Sequence, residues 1–371
     1  MSEERIHERF KRLCEIPSIT GDERAVTDAV RDELAGIGLE VSEDDSAERA
    51  RAGAGNLTCR VPGAADGWVM FAAHLDTVPH EGPIEVVEED GVFRSAGETI
   101  LGADNKAAVT VLMEMAALWA ESEPPPIGVE LLFTAAEEQG LRGAHAYDAS
   151  QLRSDYGFVL DHATPIGEVI TSAPTYKKLI ADFTGVEAHA GLAPEAGRSA
   201  IAAAAAAVAE MSLGRLDHET TANVGMIEGG TAPNVVAGSC RLVAEARGVE
   251  DQRAEETAVA MVDACNWAAG EHGCDVEIEI RDLFRGYRVG PREPALEVAR
   301  AALEAQGVTP VERSTGGGSD ANAFRLNGFD ALLLANGTKD NHTADESVAR
   351  SELERMLAVC LSVVDEAAAR C

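Results

Sequence analysis

Trp68-Val69-Met70-Phe71-Ala72-Ala73-His74-Leu75-Asp76 is an unbroken apolar run that ends on an imidazole and a carboxylate. A run of that length without polar alternation reads as a strand buried on both faces, and such strands belong to sheets covered by helices. The arrangement recurs along the chain. Gly128-Val129-Glu130-Leu131-Leu132-Phe133-Thr134 leads to Glu137-Glu138, and Gly157-Phe158-Val159-Leu160 leads to Asp161. Residues 330–334 repeat the pattern before a loop that carries His342. Residues 3–14, 22–36 and 104–119 have helical spacing, the last closed by Glu123-Pro124-Pro125-Pro126. Strands that alternate with helices, each delivering a polar residue at its carboxyl end, predict an α/β fold. Its core is an open mixed sheet flanked by helices, with the site on that edge.

The middle of the chain follows another rhythm. Residues 177–184 read as a strand, 195–211 as an alanine-rich helix, 221–227 and 235–246 as strands, 249–269 as a helix, and 275–282 as a cleanly alternating strand. That order, β-α-β-β-α-β, is the split βαβ or ferredoxin-like arrangement. The expected organisation is a catalytic domain in two parts, 1–173 and 287–371, interrupted by an inserted lid and dimerisation domain, 174–286.

Composition narrows the function. A formal net charge of -33 opposes a non-specific grip on nucleic acid or an anionic membrane. The seven cysteines, at 14, 59, 240, 265, 274, 360 and 371, form no C-x-x-C pair, which disfavours a zinc ribbon or a disulfide framework. The first ten residues lack the apolar stretch of a signal peptide, and no apolar run is long enough to span a bilayer. The expectation is a cytoplasmic protein.

The polar residues at the strand ends suit metal chemistry. A neutral imidazole such as His74 is a good zinc ligand, and the Asp76 carboxylate two residues on can accept its other N–H. Taken singly, His74 reads more readily as a satisfied histidine at a strand end, and Asp104 as a helix N-cap. Glu137 and Glu138 repel each other at the end of a buried strand unless something positive holds one, so one can ligate while the other serves as a general base; alone, the pair is equally a solvated turn. Asp161 and His342 complete a set of two histidines and three carboxylates, with a glutamate to spare. That number suits two divalent ions.

At this point the chain resembles the M20 metallopeptidase family, in particular its peptidase T-like branch of tripeptide aminopeptidase relatives. The resemblance is carried by His74-Leu75-Asp76-Thr77-Val78-Pro79, Leu101-Gly102-Ala103-Asp104-Asn105-Lys106, Thr134-Ala135-Ala136-Glu137-Glu138-Gln139-Gly140 and Gly157-Phe158-Val159-Leu160-Asp161. It continues through His189-Ala190-Gly191, Gly316-Gly317-Gly318-Ser319-Asp320 and Asn341-His342-Thr343. The resemblance implies a zinc-peptidase-like fold with two Zn2+ per chain, for which Co2+ or Mn2+ can substitute. His74 and Asp161 would bind one ion, Glu138 and His342 the other, and Asp104 would bridge them. Asp76 would orient His74, and Glu137 would take a proton from the attacking water. A cis peptide after Asp104 is also implied, and Asp at position 161 matches the aminopeptidase and dipeptidase side of the family.

The resemblance gives His189 the role of stabilising the tetrahedral oxyanion across a dimer interface; by composition alone it is an exposed loop histidine. Asn234 matches a substrate-contacting position and is equally a turn residue. Arg247 can bind a substrate carboxylate or lie solvated. Gly318 belongs to a triple glycine that is either a turn or a backbone wall beside the substrate, and no Lys-Ser or Lys-Thr follows to make a phosphate loop. The remaining histidines, at 80, 145, 162, 218 and 272, read as structural or surface residues, with His162 nearest the proposed centre. The expected activity is hydrolysis of small peptides by a homodimer formed through the inserted domain. The rival readings are an N-acyl- or N-carbamoyl-amino-acid amidohydrolase on the same metals, a non-catalytic metal-binding scaffold, and a dehydrogenase. The last lacks its G-x-G-x-x-G.

Overall fold

Trp68–His74 and Gly128–Thr134 run parallel, Trp68 opposite Gly128 and His74 opposite Thr134. Their continuous apolar sequence is explained by burial on both faces. In the computed structural model, which describes residues 3–371, they form the centre of a mixed sheet. Glu40–Glu43, Leu57–Val61, Gly128–Thr134, Trp68–His74, Tyr156–His162, Asp330–Ala335 and Glu168–Ala173 lie side by side in that order. The middle four are mutually parallel and the flanking strands antiparallel. Parallel alignment puts the carboxyl ends of the middle strands, and the polar residues after them, on one edge of the sheet.

Helices cover this sheet because their apolar residues share a face. In Arg24–Gly36 the buried residues are Val26, Thr27, Val30 and Leu34, a helical repeat. Ala103–Glu121 is buried nearly all round from Ala103 to Ala117, as a helix inside the domain must be. Pro294–Ala305 and Arg350–Ala368 pack into the same core. A three-stranded sheet of Val86–Glu89, Val92–Ser95 and Ser347–Ala349, with no counterpart in the sequence reading, places the segment after His342.

Among the described residues the chain divides into two compact units. One comprises the residues up to Thr171, Val289–Arg313 and Ser319–Cys371; the other comprises Ser172–Arg288 and Ser314–Gly318. The second unit has its own core. Its antiparallel sheet runs Gly214–Arg215, Thr220–Gly229, Ser239–Gly248, Thr175–Thr184, Asp275–Phe284, and the helices Ala200–Glu210 and Asp251–Glu271 pack on it. Its four long strands have the spatial order of a split βαβ unit.

Two boundaries differ from the sequence reading. The alanine-rich helix begins at Ala200, where the Ser199 side chain accepts the Ala202 N–H at 3.2 Å; Pro194–Ala196 is a separate 3-10 turn. The strand expected over 235–246 is broken. Val235–Val236 pairs with Ala188–His189, and the longer strand starts at Ser239. Among the described residues no helix is long and apolar enough to cross a membrane.

Candidate metal centre

His74 is buried at the end of its strand. Its Nδ1 lies 3.0 Å from the Asp76 carbonyl oxygen. A carbonyl only accepts, so Nδ1 carries the hydrogen and Nε2 is left to face outward. There Nε2 meets Asp104 Oδ1 at 3.2 Å and Asp161 Oδ1 at 3.4 Å. The sequence pattern pairs the His74 N–H with the Asp76 carboxylate; in the structure that group is the more distant acceptor, at 3.5 Å. The carboxylate accepts instead the backbone N–H of Glu137 at 2.9 Å, that of Glu138 at 3.2 Å, and the Thr20 hydroxyl at 2.7 Å. One aspartate thus fixes both the histidine and the turn that bears the glutamate pair.

Asp104 is not an N-cap. The helix is entered through Gly102 at φ 74, and Asp104 has the non-helical φ -83 and ψ 103, with a cis peptide bond to Asn105. Asp104 Oδ1 faces His74, and Oδ2 lies 3.1 Å from His342 Nε2, which is also 3.0 Å from Glu138 Oε1. The donor atoms of His74, Asp104 and Asp161 lie within 4.8 Å of one another, as do those of Asp104, Glu138 and His342, and those of His74, Glu137 and Glu138.

These separations fit a cation. Nitrogen and oxygen donors about 2.1 Å from one centre at tetrahedral angles lie about 3.4 Å apart. The electrostatics agree with such a fit, because four carboxylates converge on two imidazoles. Burial raises the Asp161 carboxyl to about 8 despite the charge on His74. Burial and the Asp161 charge push Glu137 well above the carboxylate range. Bonds to Asp104 and Glu138 carry His342 up to about 10. Burial works against a charge on His74, yet Asp161 and Asp104 hold its pKa well above the ordinary value. Burial likewise opposes the charge on Asp104, whose bonds to His342 and His74 hold its carboxyl far below the usual range. The nearby buried Lys106 ammonium donates to Ser18 Oγ at 2.7 Å and to the Leu75 carbonyl at 2.6 Å.

The profile of peptidase family M20/M25/M40 matches residues 70–366. The chain belongs to peptidase family M20. It is similar over its whole length to YqjE of Bacillus subtilis (strain 168), 35% identical over 99% of this chain and 100% of that protein. Among solved structures, aminopeptidase PepT from Bacillus cereus is 36% identical over 99% of each chain, with a TM-score of 0.89. A tripeptidase from Staphylococcus aureus is 30% identical over 100% of this chain and 99% of its own, with a TM-score of 0.94.

In this M20 peptidase the other expected site residues lie in the second unit. His189 is exposed on the short Ala188–His189 strand, where its Nδ1 accepts the Gly191 N–H at 3.2 Å. Asn234 is exposed beside it, its carbonyl accepting the Ala190 N–H at 2.9 Å. Arg247 stacks 4.2 Å over the Tyr176 ring, binds the Glu245 carboxylate through Nε and Nη2 at 3.1 Å each, and donates to the Gly316 carbonyl at 2.9 Å. Gly318 lies against Phe284, where a Cβ would stand 2.3 Å from the ring; this close approach requires glycine. His162 belongs to none of the three donor groups, and burial lowers its pKa.

Several residues that build this centre have no role evident in the sequence alone. Asn105 donates to the Leu160 carbonyl at 2.7 Å and to Asp161 Oδ1 at 3.3 Å. Lys106 ties the peptide between His74 and Asp76 through Leu75. Asp320, buried and accepting the Thr134 hydroxyl, is raised to about 6 by burial. Their signal is their place inside the quoted motifs; side-chain direction, which sequence does not encode locally, decides what they hold.

Cation uptake by this M20 peptidase is expected to release protons. His342, raised to about 10, holds a proton at pH 7 in the metal-free protein, and ligation requires the neutral imidazole. Affinity then rises with pH between 6 and 8. Calorimetric titration in buffers of different ionisation enthalpy measures the proton count, and a count of zero would contradict this charge state.

Proposed function

We propose that the chain is a two-zinc aminopeptidase acting on di- and tripeptides. The observation that carries this reading is that the two oxygens of Asp104 face two different histidines. In this reading His74 and Asp161 hold one ion, Glu138 and His342 the other, and Asp104 serves both, with Co2+ or Mn2+ as substitutes. When bound, the cations supply Lewis acidity, polarising the scissile carbonyl and lowering the pKa of a water. Glu137 removes a proton from the attacking water and returns it to the leaving amine. Burial and the Asp161 charge raise its pKa above that of an ordinary carboxyl, and a stronger base takes up the proton of a water more readily. Asp76 holds the Glu137 backbone in place.

The likeness to a PepT aminopeptidase and a tripeptidase supports peptides as substrates over N-acyl or N-carbamoyl amino acids. Residues 174–286 act as the lid and dimerisation domain in this proposal. Beyond Ala222 the Thr220–Gly229 strand has no partner on its outer side among the described residues, and it exposes Met226 and Ile227 by 60% and 50%. Such an apolar sheet edge suits pairing with a second copy. The dimer would let His189 donate to the developing oxyanion and Asn234, Arg247 and Gly318 contact substrate. A cytoplasmic location fits the seven unpaired cysteines.

Metal content per chain, measured beside turnover of di- and tripeptides, N-acyl amino acids and N-carbamoyl amino acids, tests the proposal. Two ions and preferential peptide cleavage are expected. Preferential cleavage of the acyl or carbamoyl substrates would move the chain to the amidohydrolases.

A further inference from the structure

Glu346 is 1% exposed and lies four residues after His342. Its carboxylate accepts three backbone N–H groups from one distant turn. Oε2 accepts those of Leu101 and Gly102 at 2.8 Å each, and Oε1 accepts that of Asp104 at 2.8 Å. Hydrogen bonds to an ionised acceptor are the strong ones, so this residue fastens the loop of His342 to the turn of Asp104. The fastening matters because the other bonds of the His342 loop, the Lys339–Ser347 backbone pair at its base and those of the Thr343 hydroxyl within it, do not reach the turn of Asp104. The His342 side chain is 48% exposed, and both Asp340 and His342 adopt positive φ, at 55 and 66. His74 and Asp161, by contrast, end buried parallel strands, and Asn105 and Lys106 brace those ends.

We infer that Glu346 is a positioning residue that holds His342 within reach of Asp104 Oδ2 and Glu138, and so secures the cation of that donor group selectively. The inference rests on the two-cation reading above. Glu346→Gln keeps the length of the side chain but replaces one acceptor oxygen by an amide NH2. That NH2 meets either the Asp104 N–H or the pair from Leu101 and Gly102, donor against donor.

The test titrates the metal-free wild type, E346Q, H342A and the double variant with Co2+. Visible absorption follows the ligand field, and equilibrium dialysis counts the ions. The wild type is expected to take two ions. E346Q is expected to keep the first at wild-type affinity and to bind the second about 10–100-fold more weakly, as loss of an outer partner does. The double variant is expected to match H342A. E346D, which retains the charge but withdraws the oxygens, should show the same selective loss and serves if E346Q does not fold. Equal weakening of both ions, no weakening, or an additive loss in the double variant would overturn the role. A wild type that takes one ion would remove the two-cation reading, and that result is read before any variant is compared.

Discussion

Glu137→Gln is expected to lower kcat by about 10²- to 10⁴-fold, the usual contribution of a positioned general acid–base, while the protein keeps its cations. Glutamine preserves the shape and the backbone bond from Glu137 to Asp76, but it can neither take a proton from water nor return one. Glu137 also lies in a donor group with His74 and Glu138, so metal content decides its role. If E137Q loses cations as E138Q should, Glu137 is a ligand and the proton must go elsewhere. The stability of the metal-free protein supplies a second reading. A carboxyl whose folded pKa is raised destabilises the fold as pH climbs through its ordinary value and on to the raised one. Removing this carboxyl should therefore leave the melting temperature at pH 8 unchanged or higher.

Asp104→Asn is expected to abolish tight binding of both cations, whereas His342→Ala weakens one. The contrast follows from the geometry, in which one carboxylate faces two histidines. Each affinity should fall by more than the roughly 10–100-fold typical for loss of an outer partner, and peptide turnover should fall with it. Metal-free stability moves in the direction opposite to E137Q. The Asp104 carboxyl is held far below the ordinary range, so its contribution is present above that range and is lost as pH falls, or when the charge is removed. A lower melting temperature at pH 7 for metal-free D104N checks this. Loss of only one ion in D104N would show that the two oxygens do not serve separate cations.

The strands that lead to the centre were legible because burial on both faces demands continuous apolar sequence, as in residues 69–73 and 129–133. The polar residue that follows such a run stands out against it, which makes His74, Glu137, Glu138 and Asp161 visible. What the sequence hides is direction. Asp104 has the composition of an N-cap, and only its non-helical backbone turns the carboxylate toward two histidines. Asp76 looks like a partner for an imidazole, but its carboxylate is taken by two N–H groups from a turn sixty residues on. Glu346 is hidden for the same reason, its three donors being backbone groups without a sequence signature. The break after Val236 escapes because a β-branched pair reads alike in either of two strands.

Asp330–Ala335 slots between Tyr156–His162 and Glu168–Ala173, with Leu332 beside Phe158 and Leu333 beside Ile170. During synthesis those two strands leave the ribosome early, yet the strand that separates them emerges only after the whole second unit. The nascent polypeptide must therefore keep a berth open in the middle of its main sheet, and pairing across so long a stretch is slow and exposes bare strand edges. His342 arrives later still. Assembly of the candidate metal centre is thus postponed to the end of translation, so a chain released early carries His74, Asp104, Glu138 and Asp161 without the His342 that completes the group.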